Sequence, residues 1–355
     1  MKQAGWRVLL VERRRRPEDK LCGEFLSPDG VSSLRKMELG ERLQSGGYAQ
    51  IAQVGVSSVA GHVWRAQLPE MGLGISRLHL DRLLIERCAA IGVEVVQGVK
   101  ISQVHGDLKS GFFLEGRGLF CEARTVVGAW GKQNPLKNAS TSRDAPSDWM
   151  ALKLHLSGAF PRDLVELHAF PGGYAGLCCV EEGRVNLCLL TRTDSFKSSD
   201  GDYPRFVGEV LCQNSLLEAR LRQLEGDWNC VLAVANLSFG SGGRWAGGMA
   251  LVGDAAGTIG PLCGDGMAMA LRAAEIFSPL VDFHLRGERT DAQFLRDYDT
   301  RWRAEFRRRL VAGKLLQTLL VHPFWAGAAI GLLRRFPALG HGAIRATRGP
   351  TGDAF

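Results

Sequence analysis

The sequence predicts an α/β chain in which a parallel, nucleotide-binding kind of sheet is interrupted by an antiparallel sheet and followed by C-terminal helices. Three observations carry this. WRVLLVE (residues 6–12) reads as a buried parallel strand, an apolar run that closes on an acid, Glu12, before a break at Pro17. Residues 150–240 instead alternate apolar and polar side chains between turn signals such as Glu182-Gly183, the mark of antiparallel strands. GGMALVGDAAG (residues 247–257) then returns to the apolar strand and Gly turn of the first style. The expected organisation is therefore 1–49, 74–149 and 241–289 in the first unit, 50–73 and 150–240 in the second, and 290–355 as a helical C-terminal segment.

The elements follow in order. SPDGVSSLRKMEL opens a helix with Ser27 as its cap and Pro28 at its first position. VGVSSVAGHVWRA alternates and predicts antiparallel strands within 50–66. SRLHLDRLLIERCAAIG is a helix with Leu80, Leu83, Leu84 and Cys88 on one face and Gly92 past its end. VEVVQGVKISQVHG and GFFLEGRGLFCEARTVVGAWG read as strands with turns between them, TVVGA being a central parallel strand. After the antiparallel region, a Gly-rich loop precedes the long helix GDGMAMALRAAEIFSPLVDFHL. Thr290 and Gln293 form a capping-box pair, and Leu295, Tyr298, Trp302, Phe306 and Leu310 then recur at helical spacing as a packing stripe.

Composition excludes several classes. The 355 residues are 45% hydrophobic and 23% charged, an ordinary balance for a folded protein able to bury a large core. A net charge of +7 is modest, and its clusters, Arg13–Arg16 and the stretch around Arg301–Arg309, come with no groove-reading motif, so nucleic-acid binding is not expected. The nine cysteines include no C-x-x-C pair, which fits neither a zinc site nor a small disulfide framework and points to a reducing, cytoplasmic setting. LLQTLLVHPFWAGAAIGLL (residues 315–333) approaches spanning length but carries Gln317, Thr318, His322 and Pro323. It reads as two helices with a kink, packed on the body or lying against a bilayer surface.

The most chemically specific string is ALVGDAAGTIGPLCGDGMAMALRAAE (residues 250–275). Its strand ends in Gly253-Asp254, so a carboxylate emerges at the carboxyl edge of a sheet, where open α/β folds bind ligands. Gly264 and Gly266 then open a helix whose free N–H groups and positive end suit a partial negative charge. A polyhydroxylated linker beside Asp254 and an electron-rich ring at the helix N-terminus would satisfy both ends.

This string, with Pro261 and Met267 beside the two glycines, resembles the ribityl-binding motif of FAD-dependent monooxygenases of the para-hydroxybenzoate hydroxylase type. It is also similar to the geranylgeranyl reductases and flavin-dependent halogenases. Three further stretches match in order. Glu12 resembles the acid that binds the adenosine ribose. DKLCGEFLSP (residues 19–28) resembles the loop crossing the flavin, with Lys20, Cys22, Gly23 and Glu24 approaching it. SRLHLDRLL resembles the helix whose Arg77 would face the pyrophosphate or ribityl chain. PGGYAGLCCVEEGRVNLC resembles the reductase branch and makes Tyr174 a substrate-side candidate. His79, His155 and His168 lack triad or metal spacing and read as structural, so neither a metal site nor a catalytic side chain is assigned.

The resemblance implies a Rossmann-like FAD-binding domain with an inserted antiparallel substrate domain. It further implies a cytoplasmic FAD-dependent oxidoreductase, first of all a monooxygenase that hydroxylates an aromatic or hydrophobic small molecule through a flavin C4a-hydroperoxide. The alternative is a reductase or dehydrogenase moving hydride to or from a C=C bond. NAD(P)H is the donor implied, although Trp130-Gly131 stands where the hydroxylases carry an Asp-Gly pair serving FAD and the nicotinamide. The Tyr-x-Trp-x-Phe-Pro string of the isoprenoid reductases is likewise replaced, since Tyr174 is followed by Gly176 and Cys178-Cys179. In a complete dinucleotide unit a Gly-rich turn lies about 20 residues before the ribose acid, and counting back from Glu12 passes Met1. Lys2 to Gly5 read as the tail of the unit's first helix, so the expectation is an N-terminally truncated chain, and a remnant unable to hold FAD is the further alternative.

Overall fold

The computed structural model describes residues 1–132, 134–136, 147–237 and 239–347. A short turn at Lys2–Ala4 ends on left-handed Gly5 and leads into β1 (Leu9–Glu12). β2 (Phe25–Leu26), α1 (Pro28–Lys36), α2 (Gly40–Ser45), β3 (Ala49–Ser57) and β4 (Val63–Gly74) follow, then α3 (Arg77–Ala90) and β5 (Glu94–Gln97). β6 (Ile101–Asp107), β7 (Gly111–Gly116) and β8 (Leu119–Ala123) make a three-stranded meander ahead of β9 (Val127–Gly128). The next stretch contains β10 (Trp149–Gly158), β11 (Leu164–Phe170), β12 (Gly173–Cys179) and β13 (Val185–Arg192). It continues through α4 (Thr193–Lys197), α5 (Tyr203–Glu209), α6 (Ser215–Leu221), β14 (Leu224–Glu225) and β15 (Leu232–Ala235). β16 (Gly240–Ser241), β17 (Trp245–Ala246), β18 (Met249–Leu251) and β19 (Gly257–Thr258) lead to α7 (Gly266–Leu285), α8 (Asp291–Val321), α9 (Pro323–Arg335) and α10 (Pro337–Thr347).

The α/β class expected from the sequence is the class observed. β1 pairs in parallel with β5, Glu12 lying opposite Gln97, and β18 pairs in parallel with β9 and antiparallel with β17. Among the described residues these parallel strands form two separate ladders and not one continuous sheet. The nine-stranded sheet runs β14-β10-β13-β12-β11-β3-β4-β2, with β15 also on β10, and only the β11–β3 pairing in it is parallel. Successive strand residues alternate faces. One face, with Leu152, Leu154, Leu187 and Leu189, is covered by Phe206, Leu211 and Leu217 from α5, α6 and the turn between them. The other carries Ala151, Tyr174 and Leu190 and packs against Leu320, Ala326 and Ile330 of α8 and α9. At the end of β4 the backbone comes so close to β12 that a Cβ on Gly74 would sit 1.7 Å from the Cys179 carbonyl oxygen, which only glycine allows.

Local signals map well, with two shifts. The Thr290–Gln293 capping box is present. Ser27 occupies the cap position of α1, but its hydroxyl donates to Asp29 (2.6 Å) and caps no N–H. The stripe on α8 is Phe294, Tyr298, Trp302 and Phe306, all buried; Leu295, expected to begin it, is one residue off the inward face and only half-buried. Each of these rings contributes roughly 1.5–3 kcal/mol by burial. Tyr298 also donates from Oη to the Leu251 carbonyl at 2.7 Å, fixing α8 to the strand that ends in Gly253-Asp254.

A buried polar network stabilises the sheet. Glu166, on β11, accepts from Arg220 at 2.8 and 3.0 Å and from Arg65 at 3.0 Å, and its Oε2 stands 3.5 Å from His168 Nε2. His168 Nδ1 in turn meets the Ser57 hydroxyl (2.8 Å), which accepts from Asn214. Burial opposes ionisation of Glu166, but hydrogen bonds and charge from His168 and Arg220 outweigh it and hold the carboxyl at about 2, below its ordinary 4.5. A depressed carboxyl contributes stability above pH 4.5 and loses it as pH falls towards 2, on the order of 3 kcal/mol in all. Thermal melts of the wild type should therefore fall steeply between pH 4.5 and 3, and Glu166→Gln, less stable at pH 7, should show a flatter acid limb.

Candidate functional site

The loop at residues 19–24 is bound to three elements by one carboxylate. Glu24 is fully buried and left-handed (φ 56°), a strained conformation for a residue with a side chain. Its Oε1 accepts from Lys153 Nζ at 2.5 Å and from the Arg77 backbone N–H at 2.8 Å, and Oε2 accepts from His155 Nε2 at 2.6 Å. Arg184 Nη1 faces His155 Nδ1 at 3.4 Å, so Nε2–H is the donor to Glu24. Lys153 Nζ also donates to the Lys20 carbonyl (3.1 Å) and stands 3.6 Å from Asp19. Asn186 Nδ2 donates to the Cys22 carbonyl (3.0 Å). Loop, sheet and the N-terminus of α3 are thus joined by buried, charge-assisted bonds. Asp19, Glu24 and His155 are close enough to suit a cation, and the Lys153 ammonium already supplies that positive charge.

A second convergence forms around Arg77. Its guanidinium is salt-bridged to Asp81 (3.1 Å), which also pairs with Lys20 Nζ (2.5 Å), and it lies within the electrostatic reach of both Cys22 and Asp254. Burial raises the Asp254 carboxyl above its ordinary range while Lys132 and Arg77 pull it down. That carboxylate accepts no hydrogen bond from the described residues. Gly253 and Gly264 both have positive φ, 60° and 64°, which lets the chain reverse on either side of Asp254 and Pro261. A tight cleft, too narrow to admit a water molecule, lies between this turn, Gly266 and Met269 of α7, and Trp302 and Phe306 of α8.

The predicted residues separate into groups. Cys22, Arg77 and Asp254 are gathered, and Lys20 joins them through Asp81. Gly23 and Gly266 border open space, nothing lying within 4 Å of where a Cβ would be. Pro261 is exposed at the head of the turn before Gly264. Met267 turns its side chain into the cluster of Leu26 and Leu80, leaving only backbone towards the turn. Glu24 has its carboxylate engaged internally, as above. Glu12 ends β1, where it accepts from the Arg14 N–H (2.9 Å); none of its described contacts reaches Asp254. Tyr174 is buried among Trp64, Leu190, Leu320 and Ile330, with Leu21 and Leu262 of the two site loops packed on the same cluster.

Sequence reasoning missed Lys132, Lys153, Asn186 and the half-buried pair Gly176 and Cys188. The last two face each other across β12 and β13, on the same face as Lys153 and Tyr174, in strands whose other central residues are buried. Small side chains there leave both positions short of full burial. Cys22 lies close to Cys188, and burial pushes both thiols up, Cys188 to about 12, so both are neutral S–H groups. The available signal was MALKLHLSG, where Lys153 and His155 share a face within an otherwise apolar strand.

No protein-family model matches the chain. Over 311 residues it is 25% identical to the menaquinone reductase of Mycobacterium tuberculosis, covering 79% of this chain and 72% of that one. Digeranylgeranylglycerophospholipid reductase 1 of Methanopyrus kandleri is 26% identical over 321 residues, covering 86% and 82%. Among solved structures, the myxobacterial chondrochloren halogenase CndH, described as a variant of FAD-dependent halogenases, matches with a TM-score of 0.79 at 18% identity over 97% of this chain and 86% of its own. PqsL of Pseudomonas aeruginosa, described as a probable FAD-dependent monooxygenase, matches at 0.71 and 19% identity over 93% of each chain. The fold is that of the FAD-dependent oxidoreductases.

The residues of this oxidoreductase fold suit a flavin at both ends of the Gly-Asp string. Asp254 offers a desolvated carboxylate without a hydrogen-bond donor, which polyol hydroxyls would satisfy. At the other end, no side chain caps α7, so its first-turn N–H groups are available beside the open space at Gly266. Glu24 contributes by holding the loop. Glu24→Ala would strand the Lys153 ammonium in the interior and should lower stability by about 3–5 kcal/mol in urea titrations. The Glu24→Ala/Lys153→Met double variant should lose far less than the sum of the single changes.

Proposed function

We propose that this chain is a FAD-dependent reductase that delivers hydride to a C=C bond of an apolar, lipid-like substrate. The observation that supports it most is the sheet face that carries the half-buried Gly176–Cys188 pair, where the neutral thiols of Cys188 and Cys22 lie one strand row from the apolar Tyr174 cluster under α8 and α9. Menaquinone reductase and digeranylgeranylglycerophospholipid reductase 1, curated relatives of whose length this chain covers more than two thirds, are named for reduction of such molecules.

Bound FAD would supply the two-electron redox chemistry. The chain's own part is positioning. Asp254 would accept hydrogen bonds from the cofactor's polyol, and the Arg77 and Lys132 charges would face its anionic portion. The Glu24–Lys153 pair, with the Asn186 bond to the Cys22 carbonyl, keeps Cys22 and Gly23 at a fixed height over the sheet. Leu21, Leu262 and Tyr174 form an apolar wall that excludes water from the substrate side. Hydroxylation of an aromatic molecule is the second reading, favoured by the structural likeness to PqsL.

The purified chain should turn yellow on addition of FAD. Asp254→Ala should weaken that binding roughly ten- to hundredfold, the worth of a hydrogen bond to a charged group, as read by flavin fluorescence quenching. Once reduced with dithionite under argon, the flavoprotein should be reoxidised by a menaquinone or polyprenyl substrate without oxygen. Reoxidation that consumes O₂ and yields hydroxylated product would establish the second reading, and failure of wild-type chain to take up FAD would overturn both.

A further inference from the structure

The C-terminal helices keep an apolar face uncovered. Seven of the thirteen large apolar side chains that the described residues expose lie between 311 and 339: Val311, Leu315, Phe324, Trp325, Leu332, Phe336 and Leu339. Phe324 is 70% and Trp325 53% exposed, and their rings meet edge to face at 5.1 Å. A concentration of this kind marks a surface that something covers. The helices are firmly seated on their inward side: Leu320, Ala326 and Ile330 pack against the nine-stranded sheet, and Gly340 lies against Trp64. On α9 the buried residues Ala326, Gly327 and Ile330 occupy one side, and Phe324, Trp325, Leu332 and Arg335 the opposite one.

Charge identifies the occupant. Between residues 301 and 347 the chain has nine Arg and Lys against one acid, Glu305. Glu305 is taken up by Arg272 and the buried Arg309. Exposed Arg307, Arg308, Lys314, Arg334, Arg335 and Arg345 form no ion pair with a described residue. Arg308, Val311 and Leu315 share one face of α8 at i, i+3 and i+7, and Arg335 lies over the Phe336 ring at 6.0 Å. Guanidinium groups beside exposed Trp, Phe and Leu are the composition of a helix that lies in a membrane interface. A second copy would bring like charges together across the same face. Among the described residues no single helix is long and apolar enough to cross a bilayer; α8 and α9 reach that length only together, and they meet at 111° across His322, a bend that suits helices lying along a surface.

We infer that α9, with the C-terminal half of α8 and the start of α10, docks this protein onto an anionic lipid bilayer, the Trp325 side inserted among acyl chains and the arginines at the headgroups. This stands on exposure and charge and is independent of the reaction proposed above, so the test uses no turnover. The full chain is sedimented with vesicles of phosphatidylcholine alone or with added phosphatidylglycerol. Binding is expected to the anionic vesicles, at least about tenfold above the neutral ones, and to decline as salt is raised. Arg334→Gln/Arg335→Gln should weaken it about tenfold or more. Phe324→Ser/Trp325→Ser/Leu332→Ser, shown by circular dichroism to remain folded, should abolish it. A wild-type chain that stays in solution with anionic vesicles would overturn the inference. So would a dimer in analytical ultracentrifugation that the triple substitution dissociates, because the face would then belong to a second copy.

Discussion

The whole site turns on one buried carboxylate. Glu24 sits in a backbone conformation that a side chain disfavours, and it is kept there because Lys153, His155 and the first amide of α3 all converge on it. A charge removed from water is tolerated only when every lone pair is matched, and a network of that kind has essentially one geometry. The placement of Cys22, Gly23 and Arg77 relative to the sheet follows from it. The loop has little regular structure of its own. Its rigidity is borrowed from β10 and β13, two of the most deeply buried strands in the molecule.

The two faces of the large sheet are treated differently. One is filled by large aliphatic side chains and sealed by α5 and α6. The other is graded row by row: Ala151, Leu190 and Tyr174 lie in register under the C-terminal helices, Lys153, Cys188 and Gly176 form the next row, and His155 and Asn186 the one after it, beneath the loop. An apolar row thus gives way within one residue pair to a polar anchor along a few neighbouring strands. The Gly-Asp turn is set against this face from the far side by α8, whose aromatic stripe and Tyr298 hydroxyl fix it to β18.

Much of this was legible in the sequence, and the losses have physical causes. The class, the antiparallel region, the capping box and the Gly253-Asp254 turn all rest on local rules of periodicity, glycine geometry and capping. Those rules hold because each depends on residues a few positions apart. Lys153 was missed, and His155 was read as structural without its partner, because alternation in MALKLHLSG says which residues share a face and nothing about what that face meets. A polar stripe on a strand ordinarily faces water, and here it faces a loop about 130 residues away in sequence. Glu24 was singled out with the loop as a cofactor-side residue, yet its carboxylate is engaged internally, since a short motif cannot reveal whether a carboxylate has already found partners. Gly176 and Cys188 were quoted in a motif without being seen as a half-buried pair, because burial is defined only by the neighbours the fold supplies. The stripe on α8 began one residue early for a simpler reason: Phe294 and Leu295 are both apolar, and only the tertiary contact chooses between them.

Arg309, seated between Asp29 of α1 and Glu305 of its own helix, has a mechanical implication. Eleven positions separate it from Tyr298, close to three full turns or about 16 Å, so the two anchors hold the same side of one rod. A rod clamped twice along one edge can neither roll nor tilt without breaking a buried bond. Any swing of the C-terminal helices must therefore originate past Arg309, and the stretch from there to the bend at His322 is the lever arm, with the Gly-Asp turn left stationary behind it.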